Sequence, residues 1–287
     1  MNKQNAALLS IVSNSLLIIF KLVAGILIGS ISVISEAIHS SMDLLASLIA
    51  YFSIKKAAEA EDDEHPFGHG KFENISGLIE SILIFFAGAI IIFEAIKRII
   101  MGGVIDNVVP GLIVMLISAL VNTLISLKLL KISKETKSIA LETDAMHLLT
   151  DVYTALGVFG GLFLVKITGF QILDPLSAII VAVMIIKTSL ELIERSSRDL
   201  VDRSLSPEDV EKIKVLVLGH KEIQGCHRLR TRKSGHREEI DVHIDFMEDY
   251  SLLRVHNICD EIENEIKKLF PQSYVLIHAE PIKSKVP

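Results

Sequence analysis

The sequence predicts a mainly α-helical membrane protein with six transmembrane helices, followed by a soluble α+β domain. Half of its 287 residues are hydrophobic, and the mean hydropathy is +0.49. A helix needs about 20 mostly apolar residues to cross a hydrocarbon core about 30 Å thick. Six segments meet this length, and after residue 195 the sequence becomes charged and mixed. The predicted spans cover residues 7–28, 31–54, 75–100, 108–130, 146–165 and 175–193.

Basic residues in the short loops predict the orientation of the spans. The loops after the second and fourth spans carry seven lysines, whereas the opposite side carries three basic residues. Cytoplasmic loops of membrane proteins hold the excess of Lys and Arg. We therefore expect a multi-pass protein of the cell (inner or plasma) membrane, with both termini in the cytoplasm. The three opposing residues are Lys97, Arg98 and Lys166.

The soluble part is predicted to have the element order αββαβ. Ser206, followed by Pro207 and two acidic residues, is typical of a helix start. Alternating apolar and polar residues predict two strands that form a hairpin, and an amphipathic segment predicts a second helix. This order suits a small α+β sandwich. The elements are helices over 207–219 and 251–269 and strands over 226–233, 238–246 and 274–280.

Ionisable residues form the same pattern in two predicted spans. His39 and Asp43 lie in the second span, and His147 and Asp151 lie in the fifth. A spacing of four residues places each pair on one helical face, and ionisable residues at bilayer depth usually mark a pathway. Two facing pairs would supply four ligands for a tetrahedral Zn²⁺ site. The alternative is two buried hydrogen bonds that only fix helix packing, and the repeated pattern favours the metal site.

Two further groups of polar residues are candidates for metal binding. The loop after the second span holds two histidines among several carboxylates, although such acidic loops are more often only solvated. In the second predicted strand, alternation places His243 on the polar face. His278 and Glu280 share a face of the last strand, and these histidines are either ligands or solvated residues. Glu36, one turn before His39, is either a partner of His39 or a residue of the outer cavity. Three other histidines are expected at the surface: His220, His227 and His236.

The combination of these features resembles the cation diffusion facilitator family. The resemblance rests on the six spans, on the two His-x-x-x-Asp patterns and on the segment H-P-x-G-H-G-K at residues 65–71. A C-terminal domain that begins near the sequence Leu-Val-Asp-Arg at 200–203 completes it. The resemblance implies a homodimeric exporter of cytoplasmic Zn²⁺ or a similar ion in exchange for protons. It also implies a transport domain over residues 1–203 and a metal-binding and dimerisation domain, metallochaperone-like, over residues 204–287.

The resemblance also implies roles for individual residues. Lys71 resembles a lysine that pairs with an aspartate, here Asp202, and so joins the protomers without binding metal. Some relatives have Asp in place of His39, and the histidine favours zinc, cobalt or ferrous iron over manganese or cadmium. We expect Zn²⁺ as the ion, with Fe²⁺, Co²⁺ or Cd²⁺ as alternatives. The implied ligands are His39, Asp43, His147 and Asp151 for transport, Asp62, His65 and His69 in the loop, and His243, His256, His278 and Glu280 in the soluble domain.

Charge and the missing motifs restrict the function further. A net charge of −6 argues against nucleic acid as a partner. Metal binding needs neutral imidazoles and ionised carboxylates, so it expels protons, and we expect metal/proton antiport by alternating access within the lipid membrane. A passive metal channel would lack the proton counterflow. An intramembrane metalloprotease would need a general base, as in His-Glu-x-x-His, which the sequence does not contain. We therefore expect no enzymatic activity.

Overall fold

The computed structural model describes residues 2–28, 31–101, 109–235 and 237–282, and the chain forms two compact units. The first unit consists of Met1–Ala60 and Lys71–Ser197, and the second of Glu61–Gly70 and Arg198–Pro287. The short segment between the second and third helices therefore folds with the C-terminal part of the chain.

The described residues of the first unit form six long helices, which confirms the predicted fold class. Five of them, among the described residues, are long and apolar enough to cross a membrane. The remaining helix, α2, has 27 residues, a length of about 40 Å at 1.5 Å per residue. The helices are α1 (Lys3–Ile28), α2 (Ile31–Ala57), α3 (Lys71–Met101), α4 (Val109–Thr136), α5 (Ile139–Thr168) and α6 (Leu173–Leu200).

Helix α5 extends beyond its predicted span at both ends and packs against α2, α3 and α4. Ser138 caps its first turn by accepting a hydrogen bond from the backbone N–H of Leu141. Gly169, at φ +77°, ends it in the left-handed conformation that glycine adopts without strain. Fully buried alanines, such as Ala140 and Ala145, line its contacts. Small residues let transmembrane helices approach closely, so polar side chains on neighbouring helices can meet.

In the part that the structure describes, the second unit contains a three-stranded sheet and two helices in the predicted order αββαβ. The sheet order is β1-β2-β3, with β1 antiparallel and β3 parallel to β2. The central strand therefore has a neighbour on each side. The elements are α7 (Pro207–Leu218), β1 (Gly225–Ser234), β2 (Arg237–Phe246), α8 (Leu252–Leu269) and β3 (Tyr274–Pro281).

The core of this unit lies between one face of the sheet and the helices. Ile240 and Ile244 of β2 are completely buried, as expected from their alternation with polar residues. Ile262 and Ile266, one turn apart on α8, are buried in the same cluster. Ser206 caps α7 by accepting a hydrogen bond from the Asp209 N–H at 3.1 Å. With its apolar residues facing the helices, the sheet carries its histidines on the opposite face.

Candidate functional site

Helices α2 and α5 bring a carboxylate and an imidazole together inside the first unit. Asp43 Oδ1 lies 3.1 Å from His147 Nε2, and the two side chains are 6% and 12% exposed. The other ring nitrogen, His147 Nδ1, is buried without a hydrogen-bond partner among the described residues. The two residues come from the two His-x-x-x-Asp patterns, so the structure pairs the faces that the sequence predicted to meet.

The remaining predicted transport ligands flank this pair. Asp151 lies one turn after His147 on α5, and its Oδ2 accepts a hydrogen bond from Asn122 Nδ2 of α4 at 3.2 Å. His39 lies one turn before Asp43 on α2, but the side chains of His39 and Glu36 are outside the described part of the structure. The four-ligand set therefore stays a prediction. Asn122 was not expected from the sequence, where only its polar character inside a span singles it out.

The three predicted loop ligands form a compact cluster. One ligand atom from each of Asp62, His65 and His69 lies within 4.8 Å of the others. Asp62 Oδ1 is 3.1 Å from His65 Nδ1, and Asp62 Oδ2 is 3.3 Å from His69 Nε2. The hydrogen bond from the backbone N–H of His65 is the main cause that lowers the pKa of Asp62. A charged carboxylate between two imidazoles is a donor set suited to Zn²⁺.

The local chain geometry explains how this loop folds. Gly68 adopts φ +78° and donates its N–H to the His65 carbonyl oxygen at 2.9 Å, which closes a tight turn between the histidines. A residue with a side chain would be strained at that φ. At the two ends of the loop, Glu61 pairs with Arg237, and the Arg232 guanidinium lies 5.1 Å from the centre of the Phe67 ring. The β1–β2 hairpin thus holds the loop within the second unit.

A row of three histidines crosses the sheet of the second unit. The strand register pairs His227 with His243, and His243 with His278. Their ring centres are 5.3 Å and 4.6 Å apart along the row. His243 Nδ1 lies 2.7 Å from Glu280 Oε1, and this hydrogen bond is the main cause that lowers the pKa of Glu280.

The sheet cluster differs in membership from the predicted ligand set. His227, His243 and Glu280 offer ligand atoms within 4.8 Å of one another. His278 is adjacent, with its Nε2 3.4 Å from Glu280 Oε1. His256 instead lies 3.5 Å from Asp260 on α8. His227, expected only as a surface residue, is 41% exposed and still belongs to the cluster. Its register opposite His243 is the signal that identifies it.

Lys71 and Asp202, the predicted inter-protomer pair, belong to different units. Lys71 is the first residue of α3. Asp202 has φ 55°, and its Oδ2 accepts a hydrogen bond from Arg232 Nη1 at 3.2 Å. The pairing of Lys71 with Asp202 stays a prediction.

Comparison with known proteins agrees with both units. The family described as the cation efflux transmembrane domain matches residues 7–201, and the cytoplasmic domain of cation efflux proteins matches residues 205–282. An uncharacterised transporter of Synechocystis is 32% identical over 92% of this chain and 85% of its own length. The cation-efflux pump FieF of Citrobacter koseri is 30% identical, covering 96% of this chain and 92% of that protein.

A third relative is described by the metal that it exports. The manganese efflux system protein MneP of Bacillus subtilis is 31% identical over 97% of this chain and 96% of its own length. The matches to the two domain families together extend over nearly the whole chain, and the relatives align with both units. The chain therefore belongs to the cation diffusion facilitator family of cation efflux transporters.

Proposed function

We propose that this chain exports a divalent transition-metal ion, Zn²⁺ before others, in exchange for protons. The ion would bind between α2 and α5, at a site formed by His39, Asp43, His147 and Asp151. The contact between the buried Asp43 carboxylate and the His147 imidazole supports this proposal most strongly.

The spacing of that contact suits the exchange of a proton for a metal ion. In a tetrahedral site with bonds of about 2.1 Å, two ligand atoms lie about 3.4 Å apart. Asp43 Oδ1 and His147 Nε2 are already 3.1 Å apart. A Zn²⁺ ion could thus take the place of the shared proton if the two side chains move apart by a few tenths of an ångström. One pair of groups would then bind either cargo, and metal binding would release a proton.

The donor atoms indicate which ions are preferred. Imidazole suits zinc, iron and cobalt, whereas carboxylates suit harder ions such as manganese. Two imidazoles and two carboxylates favour Zn²⁺, with Fe²⁺, Co²⁺ and Cd²⁺ as further candidates. One relative is described as a cation-efflux pump and another as a manganese efflux protein, so selectivity has to be measured on this chain.

The two clusters of the second unit are proposed as further metal sites with structural or regulatory roles. Each combines histidine nitrogens with a carboxylate whose pKa is lowered. We propose that the protein is a homodimer in the cell membrane with both termini in the cytoplasm. The same proposal includes a domain boundary between residues 203 and 204 and a charge pair between protomers, formed by Lys71 and Asp202.

Reconstituted vesicles test the function directly. Wild-type protein and an Asp43→Asn variant are compared for uptake of zinc, manganese, cobalt and ferrous iron at matched protein density. The proposal expects wild type to transport zinc fastest and the variant to transport none of the four above background. Equal rates in the two proteins would place the pathway elsewhere.

A further inference from the structure

A buried polar network connects α1, α2 and α5 next to the proposed transport site. Ser47 of α2 donates a hydrogen bond to Asp144 Oδ1 of α5 at 2.8 Å. Ser47 also accepts one from Asn14 Nδ2 at 2.8 Å, and its hydroxyl lies 2.9 Å from that of Ser10. All four side chains are at most 3% exposed. One oxygen of Asp144 is therefore held in a fixed position by the neighbouring helices.

A second carboxylate reaches the same region from α3. Glu80 is completely buried, and its Oε1 accepts a hydrogen bond from Ser76 at 2.8 Å. Gly77 allows α3 to approach α5 here, since a Cβ at this position would lie 3.1 Å from Thr143 Oγ1. Glu80 lies one turn beyond Gly77, and Asp144 directly follows Thr143. The contact between Gly77 and Thr143 therefore brings together the parts of α3 and α5 that carry Glu80 and Asp144.

Each carboxylate keeps one buried oxygen without a hydrogen-bond donor. Glu80 Oε2 and Asp144 Oδ2 have essentially no contact with solvent and no hydrogen-bond partner in the described part of the chain. Buried carboxylate oxygens are costly unless they are hydrogen-bonded or the group is neutralised by a proton or by a cation. Each side chain is thus fixed at one oxygen and keeps a second buried oxygen that a positive charge could stabilise.

The two carboxylates lie on one side of the proposed transport site. Ser47 follows Asp43 by one turn on α2, and Asp144 precedes His147 by nearly one turn on α5. Both displacements point to the end of the unit at which α2 ends and α5 begins. An ion that enters from this end would meet the carboxylates before it reaches Asp43.

We propose that Glu80 and Asp144 form a second cation station in the pathway, built from oxygen ligands and located one helical turn from the proposed transport site. The inference deepens the proposed function and rests on it. Because carboxylate and hydroxyl oxygens suit harder divalent ions, the station should accept Mn²⁺ more readily than a site that contains histidine. An ion that waits there would neutralise the two carboxylates until the transport ligands release their protons.

Mn²⁺ binding to the purified full-length protein tests the station. His65→Ala and His243→Ala are first introduced to weaken the two clusters of the second unit. Bound Mn²⁺ is then counted by continuous-wave EPR, and pulsed EPR reports whether nitrogen is coordinated. Relative to this background, Glu80→Gln combined with Asp144→Asn should remove one Mn²⁺ that has no nitrogen ligand. Each single variant should raise the dissociation constant of that ion about tenfold or more.

Matched variants separate this proposal from the proposed function. Glu94→Gln removes an acid from an exposed position of α3 and should change nothing. Asp43→Asn should remove the nitrogen-coordinated ion and retain the oxygen-coordinated one. If it removes neither ion, the proposed transport site is wrong although the station stands.

Two results would overturn the station itself. One is a double variant that binds as many Mn²⁺ ions as the background protein, even if the number of protons released on binding differs. The other is the loss of a nitrogen-coordinated ion from the double variant, which would make the carboxylates part of the transport site. If Asp144→Asn does not fold, Glu80→Gln alone decides, because its amide oxygen can still accept the Ser76 hydrogen bond.

Discussion

Replacement of Asp43 by asparagine tests the metal ligand with little change in shape. The amide has nearly the same volume, and its oxygen can still accept the hydrogen bond that joins Asp43 to His147 at 3.1 Å. A hydrogen bond to a charged group contributes about 1.5–3 kcal/mol to the stability of the fold. With Asp43→Ala, a loss of zinc binding could therefore result from a loss of stability. Asp43→Asn keeps most of that contact and removes only the charge.

The expected effect on zinc binding is large. Removal of a residue that only orients a metal ligand lowers affinity by about 10–100-fold. Asp43, as a direct ligand, should exceed the upper end of this range, which corresponds to at least about 2.8 kcal/mol at 1.4 kcal/mol per tenfold change. The assay is a zinc titration at neutral pH of purified protein in which His65→Ala and His243→Ala weaken the two clusters of the second unit. Zinc flux is measured in parallel over a range of zinc concentrations.

Ser41→Ala is the matched control for this experiment. Ser41 lies on α2 two residues from Asp43, but it is exposed, and its hydroxyl bonds only to the Ile38 carbonyl oxygen in the described structure. The control should bind zinc with wild-type affinity. An Asp43→Asn variant that folds and binds zinc within threefold of wild type would refute the assignment of Asp43 as a ligand.

Three further predictions concern the other sites. His65→Ala combined with His69→Ala should weaken zinc binding to the loop yet retain at least half of the zinc flux, and a complete loss of flux would contradict this. The hydrogen bond from His243 lowers the pKa of Glu280. The ionised carboxylate therefore stabilises the folded protein at pH values above its unfolded pKa of about 4.3. This contribution is lost as the pH falls through the lower pKa of the folded state. Glu280→Gln should therefore lower the melting temperature of the metal-free protein more at pH 7 than at pH 3, and an equal difference at the two pH values would argue against it. His39→Asp leaves one imidazole and three carboxylates, so manganese and cadmium should gain relative to zinc in competition flux assays, whereas an unchanged ratio would mean that His39 does not bind the ion.

Local sequence patterns were sufficient to predict the elements of both units. Apolar segments identified the six helices, and a capping serine with period-two alternation identified the αββαβ order. The spacing of Asp43 and His147 within their own patterns also predicted that these faces of α2 and α5 meet, whereas their role as metal ligands stays a prediction. Each of these inferences depends on residues close together in the chain.

The remaining features depend on which elements touch, and the sequence does not state this. His227 joins the sheet cluster only because β1 pairs with β2 in the register that places it opposite His243. Glu80 becomes a candidate ligand only because Gly77 allows α3 to pack closely against α5. The grouping of Glu61–Gly70 with the second unit follows from contacts with the β1–β2 hairpin. Long-range packing determined all three.

Simultaneous measurement of zinc and proton fluxes tests proton-coupled export most directly. Wild-type protein in vesicles is given a zinc gradient while internal zinc and internal pH are recorded together, and Asp43→Asn is recorded alongside. We predict that zinc entry drives proton movement in the opposite direction, that acid on the zinc-loading side slows both, and that neither occurs in the variant. If wild-type protein moves zinc at the same rate at every pH and without proton counterflow, the result would contradict exchange and indicate a passive metal channel.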